Sequence, residues 1–362
     1  MSFDRRDFLK TAGAGITACL AGAPTGAKAD AKAEPSEKDT LLRIASCSYP
    51  IRSIFKSRGQ GNPASQELKK KYGEITMLDF PQFTKDTFPG VTSMDIYSAL
   101  FGDVTDDSMF TQRPNGGPGT FDPSTPSGRK WLEKLAAKQA ATGVKTQHIS
   151  NNAPANLASP DDALRKAGVD VGKKWLDGAA IIGAKSVRMN SPQALGPSIR
   201  PNAIPRSSDG YPRNEEILPL FAKAIDSYKE MADYGGSLGI RVTFENHWGL
   251  AADPMNIRIM LDEINHPYCE ASPDFCNWEH EYMLFHGLKA LAPYAHTNVH
   301  AKYWDRWGDK NDVQRSARIM LAGGFKGTFA LEYEAGPLNG IEGALYLFKE
   351  VMAALSSPVP VV

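Results

Sequence analysis

From Leu41 onward, short runs of β-branched and apolar residues alternate with longer stretches whose apolar residues recur every three or four positions. The strand-like runs are LRIASCSY (42–49), TSMDIYS (92–98), KTQHIS (145–150), KSVRMN (185–190), IRVTFEN (240–246), CEASPD (269–274), TNVHAKY (297–303) and TFALEYE (328–334). Stretches such as GRKWLEKLAAKQAATG and DPMNIRIMLDEIN lie between them, each able to bury one face on a sheet. Gly143, Gly183, Gly239 and Gly324 stand just before the next strand, where a helix C-terminus favours a residue free to adopt positive φ. Eight strands separated by helices predict a (β/α)8 TIM barrel, an α/β fold, as a single domain over residues 41–356. A doubly wound open sheet is the alternative, but no GxGxxG follows any strand.

Residues 52–90, 101–126 and 191–213 break the short-connection pattern. Only SQELKKKYGE in the first carries a weak helical signal. Each segment follows a strand, so in a barrel all three are long loops on the C-terminal face, where loops shape or cover a site.

The composition excludes several functions. The 362 residues are 42% hydrophobic and carry no formal net charge, so there is no basic footprint for nucleic acid and no charge block for a polyionic partner. Arg5-Arg6, Phe8-Leu9-Lys10, an apolar stretch from Ala12 to Ala23 and the small-residue sites Ala27-Lys28-Ala29 and Ala31-Lys32-Ala33 predict a twin-arginine signal peptide and disordered leader over residues 1–33. The expectation is export by the twin-arginine translocase to a periplasmic or extracellular location. The apolar stretch is too short and glycine-rich for a stable membrane anchor. With Cys19 in the leader, the odd set Cys47, Cys269 and Cys276 makes no disulfide framework.

The strand ends carry the chemistry. Glu245 ends the fifth strand, Asp274 the sixth, and His300 and Glu332 lie on the seventh and eighth, 29, 26 and 32 residues apart. One such residue is usually a helix cap or a structural histidine. Four in register, one βα unit apart, predict convergence on one divalent ion, because three carboxylates in one pocket repel each other until a cation neutralises them. Oxygen-rich ligands with one imidazole suit Mn²⁺ best, with Mg²⁺, Co²⁺ or Zn²⁺ as alternatives.

The motifs FENHWG, PDFCN, VHAKYWDR and ALEYE resemble the sugar phosphate isomerase/epimerase family, the xylose-isomerase-like TIM barrels, over about residues 41–355. The resemblance implies that Glu245, Asp274, His300 and Glu332 bind one metal and that Glu245 and Glu332 are the catalytic proton-transfer groups. It also places Arg306, six residues after His300, and Lys302, in a His-x-Lys motif, at the substrate. Asn277 stands where the ketose epimerases carry a histidine. His247, Asn277 and Trp304 complete the expected substrate contacts, and one of Trp248, Trp304 and Trp307 is expected as a sugar platform. Asp95, His148 and Asn190 are read equally as substrate contacts or as satisfied strand-end groups.

The function expected is an exported, metal-dependent sugar isomerase or epimerase, acting through an enediolate on a non-phosphorylated keto-sugar or related polyol. A lyase or dehydratase on keto-sugars or 3-keto-glycosides is the alternative, and a non-catalytic sugar-binding protein is the reading from another class. The partner is a small carbohydrate, and homo-oligomerisation is left open.

Overall fold

Each of the eight strand-like runs contains a strand. The computed structural model describes residues 35–59, 61–113, 117–189 and 214–356, the side chains of 214–217 excepted. The expected leader, Asn190 and the segment 191–213 lie outside the described residues. The strands are β1 (Ile44–Cys47), β2 (Ser93–Tyr97), β3 (Phe110–Gln112), β4 (Pro118–Phe121), β5 (Lys145–Ser150), β6 (Ser186–Arg188), β7 (Arg241–Phe244), β8 (Cys269–Ala271), β9 (Asn298–Trp304) and β10 (Thr328–Ala335). The helices are α1 (Glu37–Leu41), α2 (Pro63–Tyr72), α3 (Phe80–Thr87), α4 (Pro126–Thr142), α5 (Asp162–Ile182), α6 (Asn214–Ser237), α7 (Pro254–Ile264), α8 (Met283–Leu291), α9 (Val313–Ala322) and α10 (Gly340–Ser356).

Eight strands form one parallel sheet in the order β8-β7-β6-β5-β2-β1-β10-β9. Bridges between Ala271 and Ala295 and between Asp274 and His300 join its two ends, so the sheet is a closed TIM barrel. The closing seam runs through two of the expected ligands: His300 N–H donates to Pro273 O at 3.0 Å and Phe275 N–H to His300 O at 3.2 Å.

Strand side chains alternate between the two faces of the sheet. Ile44, Ile96, Ile149, Val187, Val242 and Val299 are buried in one apolar cluster with Leu135 of α4, Leu176 of α5, Met231 of α6 and Leu347 of α10. The opposite parity faces the barrel axis and is polar: Asp95, His148 and Ser150, then Thr243 and Glu245, then Asn298, His300 and Lys302. Only Ala45, Cys47 and Ala330, with Tyr49 against them, make a small separate apolar patch there. This barrel therefore spends its interior on chemistry and takes its core from the helix–sheet interface.

Local signals set the helix ends. The Thr125 side chain caps α4 by accepting from Gly128 N–H, Pro126 supplies the first-turn φ, and Gly143 closes the helix at φ 79°. Three departures from the sequence reading have physical causes. Residues 52–90 hold two helices; α3 is short but anchored by buried Phe80, Pro81 and Thr84. Residues 101–126 contain the antiparallel hairpin β3–β4, with Phe121 buried beside Trp131. β8 stops at Ala271, short of Asp274, because Pro273 has no N–H to continue a ladder. Cys47, Cys269 and Cys276 are free thiols.

Candidate active site

Consecutive barrel strands deliver four ligand-type side chains to one point. His300 Nδ1 lies 3.6 Å from Glu245 Oε2, 3.7 Å from Glu332 Oε2 and 4.0 Å from Asp274 Oδ2. All four residues are buried. Among the described residues His300 Nδ1 and Asp274 Oδ2 have no hydrogen-bond partner although both are removed from water, with Lys302 Nζ 3.4 Å from Oδ2.

Each side chain is aimed by its neighbours. Asp274 Oδ1 accepts from the N–H groups of Cys276 at 2.6 Å and Asn277 at 2.9 Å, which leaves Oδ2 pointing into the cluster. The backbone of Asp274 is clamped by Asn246, whose Oδ1 accepts from Asp274 N–H at 2.7 Å while Nδ2 donates to Asp274 O at 2.9 Å. Glu245 Oε1 accepts from Asn277 Nδ2 at 2.8 Å, and Oε2 is ion-paired with Arg188 Nη1. His300 Nε2 is 2.8 Å from Asp95 Oδ2, which also accepts from Asn298 Nδ2 at 2.9 Å. A carboxylate can only accept here, so Nε2 carries the proton and Nδ1 presents its lone pair to the three carboxylates.

Charge balance tests whether the set fits a metal ion. Glu245, Asp274, Glu332, Glu334 and Asp95 face Arg188, Lys302 and, 4.0 Å from Glu334, Arg52, so two negative charges go uncompensated when His300 is neutral. A divalent cation would balance both. In its absence the site recruits protons instead. Burial opposes charging His300, but Glu332, Glu245 and Asp95 push its imidazole up to about 10. Burial, with Glu332 and Glu245 adding to it against Lys302, pushes Asp274 up to about 7. Burial would raise Glu245 as well, but the Arg188 guanidinium holds it well below the usual carboxylate range. Buried polar atoms, hard oxygen donors and a charge deficit fit a divalent ion: Glu245, Asp274 and His300 offer atoms within 4.8 Å of one another, and Glu332 Oε2 lies 3.7 Å from His300 Nδ1.

Glu332 of the cluster lines a cavity of about 280 Å³, and Glu245, Asp274 and His300 are buried behind its wall. Lys302 and Asn277, both expected at the substrate, line it: Lys302 Nζ donates to Glu332 Oε1 at 3.0 Å and Asn277 Oδ1 at 3.1 Å, and pairs with Glu334 Oε2 at 3.0 Å. His247, Trp248 and Trp304 also line the cavity. Arg306 does not. It is exposed, its guanidinium stacked 5.2 Å from the Trp304 ring centroid and 4.5 Å from that of Trp307. Asp95 and His148 are fully buried beneath the cluster, which resolves their two readings in favour of internal hydrogen bonding.

Besides Ser150, sequence reasoning missed five cavity residues. Arg188, Asn152, Tyr97, Tyr49 and Glu334 surround the cluster. Arg188 Nη2 donates to Asn152 Oδ1 at 2.9 Å, Asn152 Nδ2 donates to Tyr97 OH at 2.6 Å, and Tyr97 meets Tyr49 edge-on at 5.1 Å. Tyr49 OH donates to Glu334 Oε1 at 2.9 Å. Parity held the signal: Glu334 is two positions past Glu332, and Tyr97 two past Asp95, so each shares its neighbour's face.

The architecture and the cluster together define a TIM-barrel protein with a buried three-carboxylate, one-imidazole site at the C-terminal end of its strands. The chain belongs to the xylose isomerase-like TIM barrel family, whose model matches residues 110–351. Its fold is similar to that of a xylose isomerase-like TIM barrel protein from Mycobacterium smegmatis in complex with magnesium (14% identity, 88% of this chain and 99% of that one, TM-score 0.53). It is also similar to 3-keto-D-glucoside 4-epimerase from E. coli (12% identity, 85% and 99%, TM-score 0.53). A third similar structure is D-allulose 3-epimerase from Methylomonas sp. (14% identity, 86% and 98%, TM-score 0.56). No curated protein matches the chain.

Proposed function

We propose that this protein is a divalent-metal-dependent isomerase or epimerase of non-phosphorylated keto-sugars. The observation that carries this reading is the convergence of three carboxylate oxygens on His300 Nδ1, at 3.6, 3.7 and 4.0 Å, one of them from Glu332, which lines the cavity. An ion bound there would supply Lewis-acid stabilisation of the negative charge that develops on a sugar oxygen when the adjacent C–H loses its proton. Glu245 and Glu332 come from different strands and flank His300, so each is placed to take or return a proton at carbon. Asn277 and Arg188 fix Glu245 in one orientation, while Lys302 fixes Glu332.

The walls favour a neutral ligand. Both cations lining the cavity, Arg188 and Lys302, are already paired with carboxylates, so among the described residues no cation there is left for a phosphate. Two similar folds are named as sugar epimerases, one acting on a 3-keto-D-glucoside, which supports a keto-sugar or keto-glycoside. Incubation of the Mn²⁺-loaded protein with keto-sugars in D₂O should give deuterium at the carbon next to the carbonyl. Failure across free ketoses and 3-keto-glycosides would overturn the proposal, and loss of a substituent would move the protein to the lyases.

The same reading places the enzyme in the cell envelope, because the paired Arg5-Arg6 leader motif directs folded proteins to the twin-arginine translocase. Replacing both with Lys should retain active precursor in the cytoplasm; undiminished export would refute this location.

A further inference from the structure

We infer that Trp248 is the residue that selects the sugar face this site accepts, its indole held at the cavity wall by a backbone conformation that the surrounding structure imposes. This rests on the carbohydrate reading given above. Trp248 has φ 73° and ψ 170°, a region open to glycine and strongly disfavoured for a residue with a Cβ. Gly249 follows at φ 59°, so of two successive positive-φ residues the second is the type that adopts such a φ freely and the first carries the chain's largest side chain.

The bend is clamped from both sides. Upstream, the Asn246 side chain makes two hydrogen bonds to the backbone of Asp274, at 2.7 and 2.9 Å. Downstream, Leu250, Ala251 and Ala252 are buried, and Asn256 Nδ2 donates to Leu250 O at 2.9 Å. Residues 247–249 must connect these fixed ends, and positive φ falls on two successive residues, Trp248 at 73° and Gly249 at 59°.

Core packing does not account for a tryptophan there. Trp248 is only half-buried and lines the cavity, three positions past Glu245. The other tryptophans that follow the ligand motifs are otherwise engaged. Lys302 and Arg306 sit over the Trp304 ring, at 5.7 and 5.2 Å from its centroid. Trp307 donates its Nε1–H to Cys276 O at 2.8 Å and does not line the cavity. Among the described residues no cation lies over Trp248, whose ring meets only the edge of His247 at 5.6 Å. An indole with no cation over it among the described residues, in the wall that Glu332 also lines, suits the apolar C–H face of a pyranose ring, because aromatic surfaces stack on such C–H groups and fix ring orientation.

The test uses the full-length, Mn²⁺-loaded protein with W248G and W248F. Glycine relieves the backbone and removes the platform, so W248G should unfold at the same or a higher temperature while its KM for the best keto-sugar rises about tenfold or more. W248F should fall between W248G and wild type in KM. A lower unfolding temperature for W248G would show a packing role and overturn the assignment, as would an unchanged KM. Calorimetry with D-fructose and methyl β-D-glucoside separates the two proposals. Wild type that neither binds nor turns over any sugar fails the carbohydrate reading and the platform with it. Wild type that binds a sugar no more tightly than W248G fails the platform alone.

Discussion

His300 Nε2 and Asp95 Oδ2 are 2.8 Å apart, and this contact between two fully buried side chains decides which imidazole nitrogen faces the carboxylates. Asp95 reaches from β2 to β9 and also takes hydrogen bonds from Asn298 and, at 2.7 Å, Ser150. Every partner donates, so Nε2 keeps its proton on Asp95 and Nδ1 is the nitrogen that must lose one when an ion binds. D95N replaces an acceptor-only group with one that also donates and removes a charge. Mn²⁺ affinity should fall by about 10- to 100-fold with the circular dichroism spectrum unchanged. An unaltered Mn²⁺ isotherm would remove Asp95 from this role.

Glu245→Gln and Glu332→Gln keep shape but lose proton acceptance. Each should lower turnover of a keto-sugar by about 10²- to 10⁴-fold, provided metal content is matched. A metal-replete variant with near-normal rate would exclude that glutamate from proton transfer.

Arg188 and Glu245 form a buried ion pair, so R188M strands a carboxylate in a low-dielectric interior. The metal-free variant should lose about 3–5 kcal/mol of unfolding free energy in urea. Saturating Mn²⁺ should recover part of this, since the ion supplies the missing positive charge. A loss that is the same with and without Mn²⁺ would argue against a shared electrostatic site.

Metal binding should release protons. In the ion-free protein His300 titrates near 10 and Asp274 near 7, both raised by the surrounding carboxylates acting with or against burial. The bound ion requires both groups deprotonated. Affinity should therefore rise with pH, by about one proton per ion between pH 7 and 10 and by about two below pH 7. Calorimetry in buffers of different ionisation enthalpy counts these protons; a pH-independent affinity would contradict the ligand set.

Gly287 on α8 packs against the fully buried Trp278, where an added Cβ would meet the indole at 2.4 Å. Trp278 belongs to the loop that carries Asp274 and Asn277, and its Nε1–H donates to Phe275 O at 3.1 Å. G287A should destabilise the protein by about 1–3 kcal/mol in chemical unfolding and weaken Mn²⁺ binding by displacing that loop. Unchanged stability would mean the loop yields freely.

The sequence by itself determined the alternation of strands and helices, the barrel and the residues able to hold a metal. Those features are local or periodic: apolar spacing defines each element, glycine ends helices such as α4 at Gly143, and one ligand recurs per βα unit. What faces what belonged to the tertiary structure. Arg188 and Glu245 are 57 residues apart and Asp95 and His300 205 apart, and nothing at either position encodes the distance to its partner. Parallel pairing of β6 with β7 makes the first pair, and closure of the sheet, which carries β9 across the interior to β2, makes the second. The same closure turned Asp95 from a possible substrate contact into the group that orients His300, and left Arg306 outside the cavity between two indoles. A side chain's chemistry can be read from its identity, but its role follows from the dielectric and the partners around it, and only the closed barrel supplies both.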